Sequence, residues 1–160
     1  SVSDPDRFAL ELLSQIQTGQ SGRLFLELRD KQSLAYSVSA MNVEGVAPGF
    51  FSVYIASAPE KVDQGRAGIL TELDRLVQIP VGDDELDRAK RYLTGNHAID
   101  RQRAAARAAH LSLDARYGIG IDAELLYPER VEALTRDDIL AVAQRILRSE
   151  ARVEALIRPA

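Results

Sequence analysis

The chain lacks cysteine entirely and has only two histidines, His97 and His110. The absence of cysteine excludes disulfide bonds, thiolate zinc sites and cysteine nucleophiles. The two histidines lie too far apart along one helical segment to share a metal ion. We therefore expect no metal and no bound cofactor in this chain.

Long hydrophobic runs are also missing. No apolar segment approaches the roughly 20 residues that cross a bilayer, and no basic region followed by an apolar stretch opens the chain. We expect a soluble protein without a membrane span or signal peptide. The lack of cysteine fits both the bacterial cytoplasm and the periplasm, so the compartment stays open between these two.

The chain has fewer basic than acidic residues. Lysine and arginine number 20 against 24 acidic residues, which gives a net charge of -4 and a pI near 5.2. Binding to nucleic acid depends on concentrated positive charge, so we expect no nucleic-acid partner. The local group of Arg101, Arg103, Arg107 and Arg116 is interpreted as a solvated helix face or a contact surface for another protein half.

What is present is typical of one globular domain. Apolar residues make up 46% of the 160 positions and charged residues 28%. A chain of this length can enclose a single core but not two independent ones. We expect residues 1–160 to form one domain.

Periodicity predicts several amphipathic helices. Apolar residues recur at helical spacing after Asp4-Pro5-Asp6, which is a good helix start, and again in a short segment that ends with Arg29 and Lys31. Further helices are expected in the ranges 59–78, 83–117, 122–126 and 135–146. Thr135 and Asp138 have the spacing of a capping box.

Three segments are predicted to be strands. Residues from Ser33 to Met41 alternate with a period of two, and residues 50–55 are rich in aromatic and β-branched side chains. Val153, Ala155 and Ile157 alternate in a final strand. This order predicts an α+β fold, a two-layer sandwich whose largely antiparallel sheet has helices on one face. Because three strands make a thin sheet, we expect a fragment that lacks an N-terminal strand.

Four segments form an ordered pattern along the chain. They are 21–38 (SGRLFLELRDKQSLAYSV), 49–54 (GFFSVY), 85–90 (ELDRAK) and 135–139 (TRDDI). In this order and spacing they resemble the C-terminal, non-zinc-binding "inactive" domain of zinc metallopeptidases of the pitrilysin, insulinase and mitochondrial-processing-peptidase type. The resemblance covers almost the whole chain.

The resemblance implies one half of a clamshell that closes over an unfolded, extended peptide. The other half, in the same chain or a separate subunit, would carry zinc on an H-x-x-E-H motif. The segment most similar to this motif runs from His97 to Arg101. In it, Asp100 replaces the glutamate and Arg101 replaces the second histidine. We therefore expect zinc in the partner half and no peptidase activity from this chain alone.

The resemblance also implies a substrate-binding pair. In the family, an arginine and a tyrosine of the second half reach the substrate at the zinc centre, and Arg29 and Tyr36 occupy that spacing. Tyr36 would face the oxyanion of the transition state, and Arg29 would bind or orient substrate carbonyls.

Simpler interpretations exist for both residues. Arg29 would then be a cation at a helix end, and Tyr36 a half-buried strand aromatic with a wet hydroxyl. The whole chain also has an alternative function, that of a scaffold or assembly domain that kept the fold without proteolysis.

Overall fold

Helices dominate the computed structural model, which describes residues 1–158. In this part of the chain the sheet is a single β-hairpin, and helices pack on one of its faces. The helices are α1 (Arg7–Gln17), a π-helix (Phe25–Lys31), α2 (Val62–Gln78), α3 (Asp83–Asp100), α4 (Ala104–Tyr117), α5 (Ala123–Ala133) and α6 (Arg136–Ile146). Two short 3₁₀ turns occupy Pro59–Lys61 and Ser149–Ala151.

The hairpin consists of the antiparallel strands β1 (Ser37–Val43) and β2 (Phe50–Ala56). Its register places Ala40 opposite Val53 and Ser39 opposite Tyr54. Side chains alternate between the two faces of a strand, so Ala40 and Val53 face the helices and Tyr54 faces the other way.

The core has two parts. The larger one joins α1 to α3, α5 and α6, and the smaller one lies between the hairpin, the π-helix and α2. The larger part buries Leu12, Leu13, Val131 and Ala143. The smaller part buries Leu24, Leu28, Leu34 and Ala40. The smaller core fixes the π-helix on one face of the hairpin.

The first strand begins later than the sequence predicts. Alternation indicated a start at Ser33, but β1 begins at Ser37. Ser33 has a φ of 53°, a left-handed conformation that interrupts an extended strand. The Leu34 amide then donates a hydrogen bond back to the Leu28 carbonyl at 2.8 Å, so this segment closes the π-helix instead of joining β2.

The final strand predicted around Val153, Ala155 and Ile157 is wrong for the described residues. Residues 152–158 belong to no sheet, and the Val153 and Ile157 side chains are 93% and 97% exposed. An alternating pattern makes a strand only where a neighbouring strand accepts its backbone hydrogen bonds.

The α+β class is confirmed, with an antiparallel hairpin and helices packed on one of its faces. Within residues 1–158, no helix combines the length and the apolar character needed to cross a bilayer. The capping box at Thr135 is also confirmed, because its hydroxyl accepts the Asp138 amide and the Asp138 carboxylate accepts the Thr135 amide.

Candidate functional site

The π-helix is the first element of the site. Its neighbouring Leu24 and its own Leu28 are buried in the smaller core, which leaves Arg29 on the solvent side. A π-helix has wider turns than an α-helix, is rare, and is frequently found at functional sites. Here the π-helix holds the Arg29 cation on its solvent-facing side.

Arg29 lies between two aromatic rings. Its guanidinium carbon is 4.9 Å from the ring centroid of Phe25 and 5.6 Å from that of Tyr36. Both distances fall within the range of cation–π attraction. The two rings restrict the guanidinium, and its N–H donors stay accessible at the surface.

Tyr36 is directed outward by the start of the hairpin. Its amide donates to the Ala56 carbonyl at 3.1 Å, and Ser37 is also paired with Ala56. Two residues opposite one is the arrangement of a β-bulge, which changes the direction of a side chain. The Tyr36 side chain is 85% exposed, so the half-buried aromatic of the simpler interpretation is wrong.

The segment between Arg29 and Tyr36 is fixed from both sides. Leu34 and Ala35 are buried, and the Lys61 ammonium donates to the Ser33 carbonyl at 2.8 Å. A positive φ in a residue other than glycine costs free energy that the surrounding contacts must offset. These contacts therefore set the relative position of the guanidinium and the phenol.

A partly buried ion pair attaches this region to α3. The Arg23 guanidinium donates two hydrogen bonds to the Glu85 carboxylate, at 2.8 and 2.7 Å. The bonds from Arg23 lower the pKa of Glu85 to about 2, helped by the Gly82 amide and opposed by burial. Arg23 is only 8% exposed, so this bidentate pair joins the start of the helical segment to the start of α3.

Gly68 allows α2 to lie close to the π-helix. A Cβ atom at this position would be 2.4 Å from Leu28 Cδ2. Any larger residue would have to displace a leucine that is almost completely buried. Helix α2 can therefore lie this close to the π-helix because Gly68 has no side chain.

The residues present do not fit a zinc ion. No cluster of three or more metal-ligating side chains exists within residues 1–158. His97 Nε2 is 3.0 Å from the Glu124 carbonyl oxygen, and His110 Nδ1 is 3.0 Å from a Glu124 carboxylate oxygen. Both rings therefore serve contacts between α3, α4 and α5.

Sequence reasoning named Arg29 and Tyr36, and the fold brings them together on one surface. It missed Phe25 as the second neighbour of the guanidinium. The four-residue spacing of Phe25 and Arg29 could have indicated this contact, since residues four positions apart on a helix are neighbours. It also missed the Arg23–Glu85 pair, which joins distant parts of the sequence and leaves no local periodicity.

The family model described as the peptidase M16 inactive domain matches residues 1–93. The chain belongs to this family. The resemblance to the C-terminal, non-zinc-binding domain of pitrilysin-type metallopeptidases is thereby confirmed.

Relatives of the chain are much longer than the chain itself. A Streptomyces coelicolor protein is 31% identical over 149 residues, which are 91% of this chain and 32% of that protein. A Rickettsia felis protein is 29% identical over 142 residues, which are 88% of this chain and 34% of that protein. Both carry the name uncharacterized zinc protease. The chain spans about a third of the length of these curated relatives.

Solved structures share the fold. The inactive peptidase domain from Bordetella parapertussis has a TM-score of 0.87 at 23% identity, over 100% of this chain and 87% of that chain. The peptidase M16 inactive domain from Pseudomonas fluorescens has a TM-score of 0.77 at 22% identity, over 92% of this chain and 36% of that chain.

Proposed function

We propose that this chain is the substrate-binding, non-catalytic half of a zinc metalloendopeptidase. It would close over an unfolded, extended peptide and present Arg29 and Tyr36 to the active site of a zinc-bearing half, in the same chain or in a separate subunit. The observation that supports this most is the position of the two side chains, which are exposed and adjacent on one surface.

The proposed chemistry uses hydrogen-bond donors. Hydrolysis of a peptide bond puts negative charge on the scissile carbonyl oxygen, and a phenol aimed at that oxygen stabilises the transition state more than the ground state. Tyr36 would donate this bond. The Arg29 guanidinium, restricted by the two rings, would donate to substrate carbonyls and orient the peptide.

The zinc-bearing half would supply the activated water. The residues of this chain would bind and orient the peptide without holding the metal. We therefore expect this chain alone to bind extended peptide weakly and to cleave none.

The test is the substitution Tyr36→Phe in the assembled enzyme, which removes one hydroxyl and keeps the ring. Loss of a transition-state donor lowers kcat by about 10²-fold and leaves KM nearly unchanged. Steady-state kinetics with an unfolded peptide measure both quantities. Tyr92→Phe is the matched control, because Tyr92 is an exposed tyrosine on α3.

Equal losses of peptide binding and turnover would contradict a transition-state role for Tyr36. An unchanged kcat would favour the scaffold function, in which the exposed pair does no chemistry. The kinetic constants of the Tyr36→Phe enzyme therefore separate the two functions.

A further inference from the structure

The hairpin has an outer face, which is turned away from the helices. Ala40 and Val53 belong to the opposite face and pack in the smaller core. The register and the alternation of side chains place the following residues on the outer face: Ser37, Ser39, Met41, Val43, Phe50, Ser52, Tyr54 and Ala56. Met41, Phe50 and Tyr54 are 45%, 61% and 55% exposed. The outer face therefore presents large apolar and aromatic side chains to solvent.

The side chains of the outer face carry no charge, although charged residues make up 28% of the chain. Apolar groups that cover such a surface gain free energy, because both surfaces leave water. A charged side chain pressed against the outer face would lose its hydration without gaining a counter-ion. The outer face therefore favours neutral apolar groups and disfavours charged ones.

The outer face begins beside Tyr36. This residue immediately precedes Ser37, the first residue of the face. A strand rises about 3.4 Å per residue, so Ser39 lies about 10 Å along the chain from Tyr36. Tyr54 is opposite Ser39 in the register. An extended peptide has nearly the same rise. A peptide residue about three positions from a bond held at Tyr36 can therefore contact Tyr54.

We propose that the outer face selects substrates that carry a neutral aromatic or large apolar residue about three positions from the scissile bond, with Tyr54 as the main contact. This inference rests on the proposed function, because it takes the scissile bond to lie at Tyr36. The occupant is the substrate peptide, since the outer face adjoins the exposed Arg29–Tyr36 pair and is neutral where an apolar peptide segment would lie. Met41 extends the same preference to about five positions from the bond.

The test uses the assembled enzyme and a series of unfolded peptides that share one scissile bond in a sequence rich in glycine and serine. A single position, about two to four residues from that bond on either side, carries phenylalanine, serine, aspartate or lysine. The best phenylalanine peptide will have a kcat/KM about tenfold or more above that of its serine counterpart, and the aspartate and lysine peptides will be poorer still. Equal kcat/KM values across the series overturn the proposal.

Two variants of Tyr54 assign the preference to this residue. Tyr54→Thr removes the ring and keeps a good strand former, and it will reduce the preference for phenylalanine over serine to about twofold or less. Tyr54→Lys adds a cation and will make the aspartate peptide a better substrate than the phenylalanine peptide. Loss of folding lowers all rates together and cannot reverse this ranking. Tyr92→Thr and Tyr92→Lys are the matched controls, because Tyr92 is 54% exposed on α3, and both will keep the wild-type ranking.

The Tyr36→Phe enzyme separates a failure of this inference from a failure of the proposed function. If Tyr36→Phe lowers kcat while both Tyr54 variants keep the wild-type ranking of peptides, only the selection by the outer face is wrong. The outer face would then contact another part of the longer polypeptide. If Tyr36→Phe leaves kcat unchanged, the proposed function is wrong, and this inference fails with it.

Discussion

The guanidinium carbon of Arg29 and the ring centroid of Tyr36 lie 5.6 Å apart, although one residue lies in the last turn of a π-helix and the other precedes a strand. Two features produce this proximity. The left-handed conformation of Ser33 turns the chain, and the shared pairing of Tyr36 and Ser37 with Ala56 directs the phenol outward. The pair is thus a product of the loop between the elements.

Replacing Arg29 by lysine will lower kcat/KM of the assembled enzyme about 5- to 30-fold. Lysine keeps the charge but loses the planar group that contacts the rings of Phe25 and Tyr36, which corresponds to about 1–2 kcal/mol. Arg29→Met will lower it further. Arg88→Lys on α3 is the control. If Arg29→Lys retains full kcat/KM, the stacked geometry has no role in catalysis.

Glu85→Gln will destabilise the fold in a pH-dependent way. The folded-state pKa of Glu85 is about 2, below its ordinary 4.5, so its ionised form stabilises the folded state above about pH 5. This contribution is lost as pH falls from about 5 to 2. It amounts to about 1–2 kcal/mol, since the carboxylate is partly exposed and screened. Urea unfolding of wild type and Glu85→Gln at several pH values measures it.

The control for this prediction is Glu129→Gln, which changes an exposed carboxylate on α5. Its difference from wild type should stay within about 0.5 kcal/mol across the same pH range. A constant difference between wild type and Glu85→Gln from pH 7 to 2 would contradict the ion-pair account.

Gly68→Ala will destabilise the domain by about 1–3 kcal/mol, because the new methyl group would clash with the buried Leu28. Gly95→Ala is the matched control. It also lies inside a helix, but nothing lies within 4 Å of its added Cβ, so it will stabilise by about 0.5–1 kcal/mol. Thermal unfolding measures both, and a stabilising Gly68→Ala would refute the close approach of α2.

Thr18→Val will cost about 1–2 kcal/mol. The substitution keeps the shape of the side chain but removes the hydroxyl that bonds both backbone groups of Ala40. Thr94→Val is the control, since the Thr94 hydroxyl donates to carbonyls of its own helix, those of Lys90 and Arg91. Chemical denaturation compares them. Equal losses would show that the bonds to Ala40 contribute nothing specific.

The sequence predicted most of the helical framework and the hairpin. The segments around Leu12 and Ile139 carry clear helical periodicity, and the run from Phe50 to Ile55 carries strand composition. Such patterns are local, because each residue reports the face on which its own element is buried. The family pattern added Arg29 and Tyr36 as candidates.

Two predictions could not succeed from local patterns. Ser33 begins an alternating run yet adopts a left-handed turn, because Leu34 is drawn into the core against Leu28. Val153 and Ile157 alternate as a strand requires, but no described strand lies beside them. Whether an alternating segment joins a sheet depends on a partner that its own residues do not specify.

The sequence alone determined the α+β class, the absence of cysteine chemistry and the spacing of Arg29 from Tyr36. Only the tertiary structure decided that the two side chains meet at the surface, that Phe25 flanks them, and that Arg23 reaches Glu85. Periodicity and composition act over a few residues and are visible in the chain. Contacts between distant segments arise when the core closes, since burial and hydrogen-bond partners are shared across the whole domain.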